Sequence, residues 1–176
     1  AFAPSRLANV TVRANLSQSV AASMTVVSFT GVDTTGTNGS GAIGATGSGN
    51  ANSGAPTASL VTTRANSWVF GVGTDWDNAI ARTVPADQVL VDQYLATVGD
   101  TYWVQRRNAP TPASGTTVTI NDTAPATDRY NLTIVEVLAA TSGAAYTVSG
   151  SITPGTLGSG AVVTLSQGGT TVSTAT

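Results

Sequence analysis

Ser67-Trp68-Val69-Phe70-Gly71-Val72 is a short run of aromatic, β-branched and small residues in which both alternating faces are apolar or small. Such a segment is too short for a buried helix and fits a strand covered on both sides, so it predicts the central strand of a sheet. Working outward, Val10, Val12, Ala14 and Leu16 fall on one face of an alternating stretch whose other face is Asn9, Thr11, Arg13 and Asn15. That pattern reads as a half-buried strand. Residues 24 to 30, Met-Thr-Val-Val-Ser-Phe-Thr, carry the same β-branched and aromatic texture.

Further strands are expected at 58 to 64, 101 to 107, 116 to 121 and 129 to 139, each bounded by Gly, Pro, Asn or Asp clusters that supply turns. Residues 87 to 98 also satisfy helical spacing through Leu90 with Tyr94 and Val91 with Leu95, but their valine content favours a strand. The Gly/Ser/Asn/Thr-rich segment 33 to 56 has the composition of a linker, yet it lies between strands that should pair. It is expected to be an ordered loop. The regular spacing predicts an all-β antiparallel sandwich of jelly-roll or Ig-like type over residues 1–140. Residues 141–176 read as a partial second β-module or as docking strands, with a Pro154-Gly155 turn and the strand-like Ala161-Val162-Val163-Thr164-Leu165.

The 176 residues include no Cys, no His and no Lys, and Glu136 is the lone Glu. Ser-His triads, Ser-Lys dyads, Schiff bases, thiolate nucleophiles and Cys-type zinc sites are thereby excluded. Charged residues are 9% of the chain, against roughly 25% in an ordinary soluble domain, so hydroxyls and amides must wet the surface. Seven arginines scattered against nine acids, for a net charge of −2, form no stripe that could neutralise phosphates. Nucleic acid is not expected as a partner, and no apolar run reaches the length needed for membrane insertion. The chain opens on Ala1-Phe2 without an initiator Met, which reads as a processed or truncated start.

Met24-Thr25-Val26-Val27-Ser28-Phe29-Thr30-Gly31-Val32-Asp33, then Ser67 to Gly73, then Tyr130-Asn131-Leu132-Thr133-Ile134-Val135-Glu136-Val137 together resemble a β-sandwich module repeated in large secreted or cell-surface bacterial proteins. The likeness spans about residues 7 to 139. It implies a structural or adhesive module without an active site, and further strands ahead of residue 1. The tail from Val148 to Ser166 resembles the first half of a transthyretin-like or Ig-like repeat, which implies a bead-on-string surface or fibre protein. Open sheet edges would then pair with other copies of the chain or with neighbouring modules.

Three places could carry chemistry. Thr74-Asp75-Trp76-Asp77-Asn78 gathers two carboxylates, an amide and an indole: Asp75, Asp77 and Asn78 could wrap Ca²⁺ and Trp76 could stack on a glycan, or the loop is simply a turn. Tyr102, Trp103, Arg106 and Arg107 could grip an acidic sugar, or they pack as an ordinary strand with Trp103 and Arg107 on one face and Tyr102 and Arg106 on the other. Glu136 shares the core-facing parity of Tyr130, Leu132 and Ile134, where a carboxylate is costly. A β-bulge near Val135 turning it outward is favoured over an arginine meeting it inside. A hydrolase would need two accessible carboxylates within about 10 Å of each other.

Overall fold

The computed structural model describes residue 3, residues 8–141, 163–167 and 170–175. Every sheet in it is antiparallel. The chain divides into two compact units, Ala1–Thr141 and Ser142–Thr176.

In the first unit the strands are β1 (Ile43–Gly54), β2 (Thr57–Val61), β3 (Trp68–Asp75), β4 (Gln88–Leu95), β5 (Thr101–Arg107), β6 (Thr117–Asn121) and β7 (Asp128–Val137). They form a five-stranded sheet in the order β1-β7-β3-β5-β4 and a two-stranded sheet, β2-β6. The run around Trp68 to Val72 is central, flanked by β7 and β5, as its two apolar faces require. Residues 87 to 98 form a strand and not a helix.

The two sheets pack face to face over Ala58, Leu60, Val69, Trp103, Val118, Ile120, Tyr130, Leu132 and Ile134, all buried. These are the alternate residues of their strands, so the architecture is an all-β sandwich. Burying such side chains stabilises by roughly 1.5–3 kcal/mol each.

The Gly-rich segment departs from expectation. Residues 37–42 make a 3-10 turn, and 43–54 form β1, a twelve-residue edge strand paired with β7. Composition suggested a loop because the stretch is mostly Gly, Ala, Ser and Asn, with Thr46 its one β-branched residue after Ile43. Its glycines have a packing reason: a Cβ on Gly47 or Gly49 would strike the backbone carbonyl of Ser59 or Thr57. Strand β2 crosses so closely that only hydrogen fits there.

Residues 10–16 and 24–30 are not strands. Every residue from 8 to 24 is exposed, with Val10 at 53%, Val12 at 51% and Leu16 at 57%. Alternation alone makes no strand, because the backbone needs a hydrogen-bonded neighbour, and β7, β3 and β5 already have two each. Instead this segment straps the outer face of the large sheet through side chains. The Tyr102 hydroxyl shares its one proton between Asp100 (2.8 Å) and the Ala21 carbonyl (3.1 Å), the Thr25 hydroxyl donates to Asp92 (2.8 Å), and Phe29 meets Phe70 edge-on at 5.1 Å.

The second unit contains the antiparallel hairpin β8 (Val163–Gln167) and β9 (Thr170–Ala175). The expected joint and the strand around Tyr146 to Ile152 lie outside the described residues.

Candidate functional site

Three surfaces and one interior cluster collect what chemistry the chain has. In the first unit, strands β1, β2, β4 and β6 each have a single hydrogen-bonded neighbour among the described residues. The free side of β2 lies against Gly47 and Gly49 of β1 through its Ser59 and Thr57 carbonyls, so the open backbone edges are those of β1, β4 and β6. An open edge presents unpaired N–H and C=O groups and is a template for another strand.

The three edges differ. Strand β4 carries a register irregularity between Leu90 and Asp92, and the Asp92 carboxylate stands on it, two features that discourage pairing. The β1 edge is Gly, Ser, Asn and Ala over most of its length and offers little apolar contact. Strand β6 borders a groove of about 370 Å³, lined among others by Asp87, Arg107, Pro110, Thr117 and Thr119.

On the outer face, Met24 of the strap and Val72, Thr74, Tyr102, Val104 and Thr133 of the sheet enclose a mostly apolar groove of about 470 Å³. Tyr94 stacks on Tyr102, with ring centres 6.4 Å apart. Burial and the hydrogen bond to Asp100 raise the Tyr102 phenol above its ordinary pKa, so it stays a neutral donor.

The proposed calcium loop is otherwise engaged. Asp75 is fully buried and pairs with Arg82, itself sealed from solvent. Its Oδ1 also accepts the amides of Asp77 (2.7 Å) and Asn78 (3.2 Å), an Asx turn that ends β3. Asp77 points elsewhere, accepting the Arg129 amide at 3.3 Å. Among the described residues no three acidic side chains are grouped as a metal centre would need. Trp76 is 44% exposed, and the Arg129 guanidinium lies over its ring at 5.6 Å.

The structure separates the aromatic pair on β5 onto opposite faces. Trp103 is 2% exposed and belongs to the core, with Arg82 over its ring, so it presents no surface for a sugar. Tyr102 and Arg106 face outward, where Arg106 covers Trp68 at 4.9 Å. Arg107 pairs with Asp87.

Sequence reasoning missed the cluster around Arg82. Asp128 stands 3.9 Å from Arg82, and Asp122, 2% exposed, lies near enough to feel the Arg82 charge without pairing with it. Burial pushes Asp122 up to about 7, against the attraction of Arg82. Burial and the Asp75 charge also raise Asp128. The strand parity of Asp75 with Val69 was a legible signal of its inward position. Arg82 lies in the connection between β3 and β4, where no periodicity speaks.

Glu136 follows neither sequence reading. It is fully buried, and β7 runs in unbroken register beside β3 at this point. The irregularity sits on the opposite strand, between Ile43 and Thr46 of β1, and brings the Ala45 amide to Glu136 Oε2 at 3.0 Å. Thr63 donates its amide (2.9 and 3.0 Å) and its hydroxyl (2.8 Å), and the Arg64 amide donates at 3.2 Å. Burial alone would raise this carboxyl, but the donors from Ala45 and Thr63 outweigh it and hold its pKa below the ordinary value. Arg64 turns its guanidinium to Asp33 (2.8 Å) and to the Ala139 carbonyl (2.6 Å) instead.

Comparison with protein-family models, with curated proteins and with solved structures found no match.

Proposed function

We propose that the chain is a non-catalytic structural or adhesive module of a secreted or cell-surface bacterial protein, assembling with copies of itself or with neighbouring modules through strand edges or sheet faces. The observation that carries this reading is the open backbone edge on three strands of a body whose surface is nearly uncharged. Low charge removes the repulsion that keeps such edges apart. The carboxylates that lie close together, around Arg82, have almost no solvent contact, so they serve packing and not a substrate. Light scattering coupled to size-exclusion chromatography tests the proposal: oligomers that grow with concentration are expected, and a strict monomer at high micromolar concentration overturns it.

A second reading, a glycan-binding module, rests on Trp76, whose indole is exposed beside Arg129 and Asp77. Its test is a glycan array read with the wild-type chain and Trp76→Ala. Binding lost in the variant would favour it over assembly.

A further inference from the structure

Residues 9–16 carry the alternating pattern of an amphipathic strand but form none, and Asn9 sits at a positive φ of 55°. Val10, Val12, Ala14 and Leu16 alternate with Asn9, Thr11, Arg13 and Asn15, all are exposed, and the segment joins no hydrogen bond among the described residues. Strand β6 is the reverse case, a sheet edge without a strand. The Asp122 amide donates to Pro56 and the Thr62 amide donates to the Thr116 carbonyl, so even-numbered residues here turn their backbone toward β2. Thr117, Thr119 and Asn121 therefore turn theirs to the open side. Only the last is satisfied, its amide donating to Gln88 Oε1 at 3.2 Å while Gln88 Nε2 donates to its side chain at 2.9 Å. Beside Thr117 and Thr119 lies the 370 Å³ groove, and two strands here face a sheet of five.

We infer that residues 9–16 of one chain add as a strand to the open β6 edge of a second copy. Val10, Val12, Ala14 and Leu16 would continue the inward row of Val118 and Ile120, while Thr11 and Arg13 would face solvent beside Thr119. This inference rests on the assembly reading above and specifies its donor and acceptor. The occupant is a second copy because the chain's own strap is held at Ala21 by Tyr102, on the outer face of the large sheet. The groove shares no lining residue with that outer face: β6, Arg107 at the end of β5, Asp87 and the 109–112 connection line it. The remaining edges fit less well: β4 is guarded by its irregularity and Asp92, and β1 presents glycines inward that β2 already covers.

The absence of cysteine makes disulfide trapping clean. Thr119→Cys chains are mixed with Thr11→Cys or Arg13→Cys chains and mildly oxidised, with the exposed Val98→Cys as the control partner. A linked dimer in several-fold excess over the control is expected, and the substitutions Val10→Asp and Val12→Asp, made together at exposed positions, should abolish it. No excess over the control overturns the inference. So does a link formed within single chains carrying both Thr119→Cys and Arg13→Cys, which would place the strand in its own molecule. Oligomers that persist undiminished in the Val10→Asp, Val12→Asp chain overturn strand donation while leaving assembly through edges or faces intact. A monomeric wild-type chain overturns both.

Discussion

The guanidinium of Arg82 lies over the indole of Trp103, its central carbon 4.4 Å from the ring centre, while it pairs with Asp75 in a site without solvent contact. One residue from an irregular connection thus neutralises the end of β3 and roofs the core. Replacing it by methionine would keep the contact with the indole but leave Asp75, Asp122 and Asp128 without a counter-charge. Removing one partner of a buried pair costs about 3–5 kcal/mol. Arg82→Met is expected to lower stability by that order in urea unfolding, and Asp75→Asn in the same chain should recover part of the loss.

Stability should depend on pH through the same cluster. The folded state raises Asp122 from 3.8 to about 7, so the native protein holds this proton more tightly than the unfolded chain does. Its contribution is fully present below about pH 4 and declines as pH rises toward 7. Asp128, also raised, acts in the same direction. Asp33, lowered to about 2 by the Thr35 hydroxyl and amide and by Arg64, has the opposite sign and loses its contribution as pH falls from about 4 toward 2. Thermal melts are expected to show a higher midpoint at pH 5 than at pH 7.5, and Asp122→Asn should flatten that slope.

Glu136 is a carboxylate held by donors alone. In Glu136→Gln the new amide group would face the N–H groups of Ala45, Thr63 or Arg64, and at least one donor would lose its acceptor. Hydrogen bonds to a charged group are worth about 1.5–3 kcal/mol, so a loss of roughly 2–3 kcal/mol is expected in denaturant unfolding. Glu136→Asp, too short to span the donors, should be no better.

The close crossing of β2 over β1 gives a further test. Gly49→Ala places a methyl against the Thr57 carbonyl and must push the two strands apart. Overpacking of this kind costs about 1–3 kcal/mol. Ser48→Ala, at a neighbouring position of the same strand, should change stability by no more than about 0.5 kcal/mol, and comparing the two by chemical unfolding separates backbone crowding from strand propensity.

The sequence by itself determined the sheet-forming class, the central place of Trp68 to Val72, and the strand at 101–107 with Trp103 and Tyr102 on opposite faces; for Glu136 it set a core-facing parity but favoured an outward bulge, which the buried carboxylate overturns. Each of these follows from side-chain alternation, a local property that survives without knowledge of neighbours. Only the tertiary structure decided whether a strand-like segment had a partner. Val10 to Leu16 and Met24 to Thr30 have the pattern and lack the hydrogen-bonded neighbour, whereas the glycine-rich 43–54 lacks the pattern and gains two neighbours that tolerate no side chain between them. The same division governs the polar interior. Parity could place Asp75 and Glu136 inside, but the donors that satisfy them, Arg82 and the amides of Ala45, Thr63 and Arg64, arrive from loops and from a distant strand. Long-range backbone placement sets those partners, and no periodicity in the sequence encodes it.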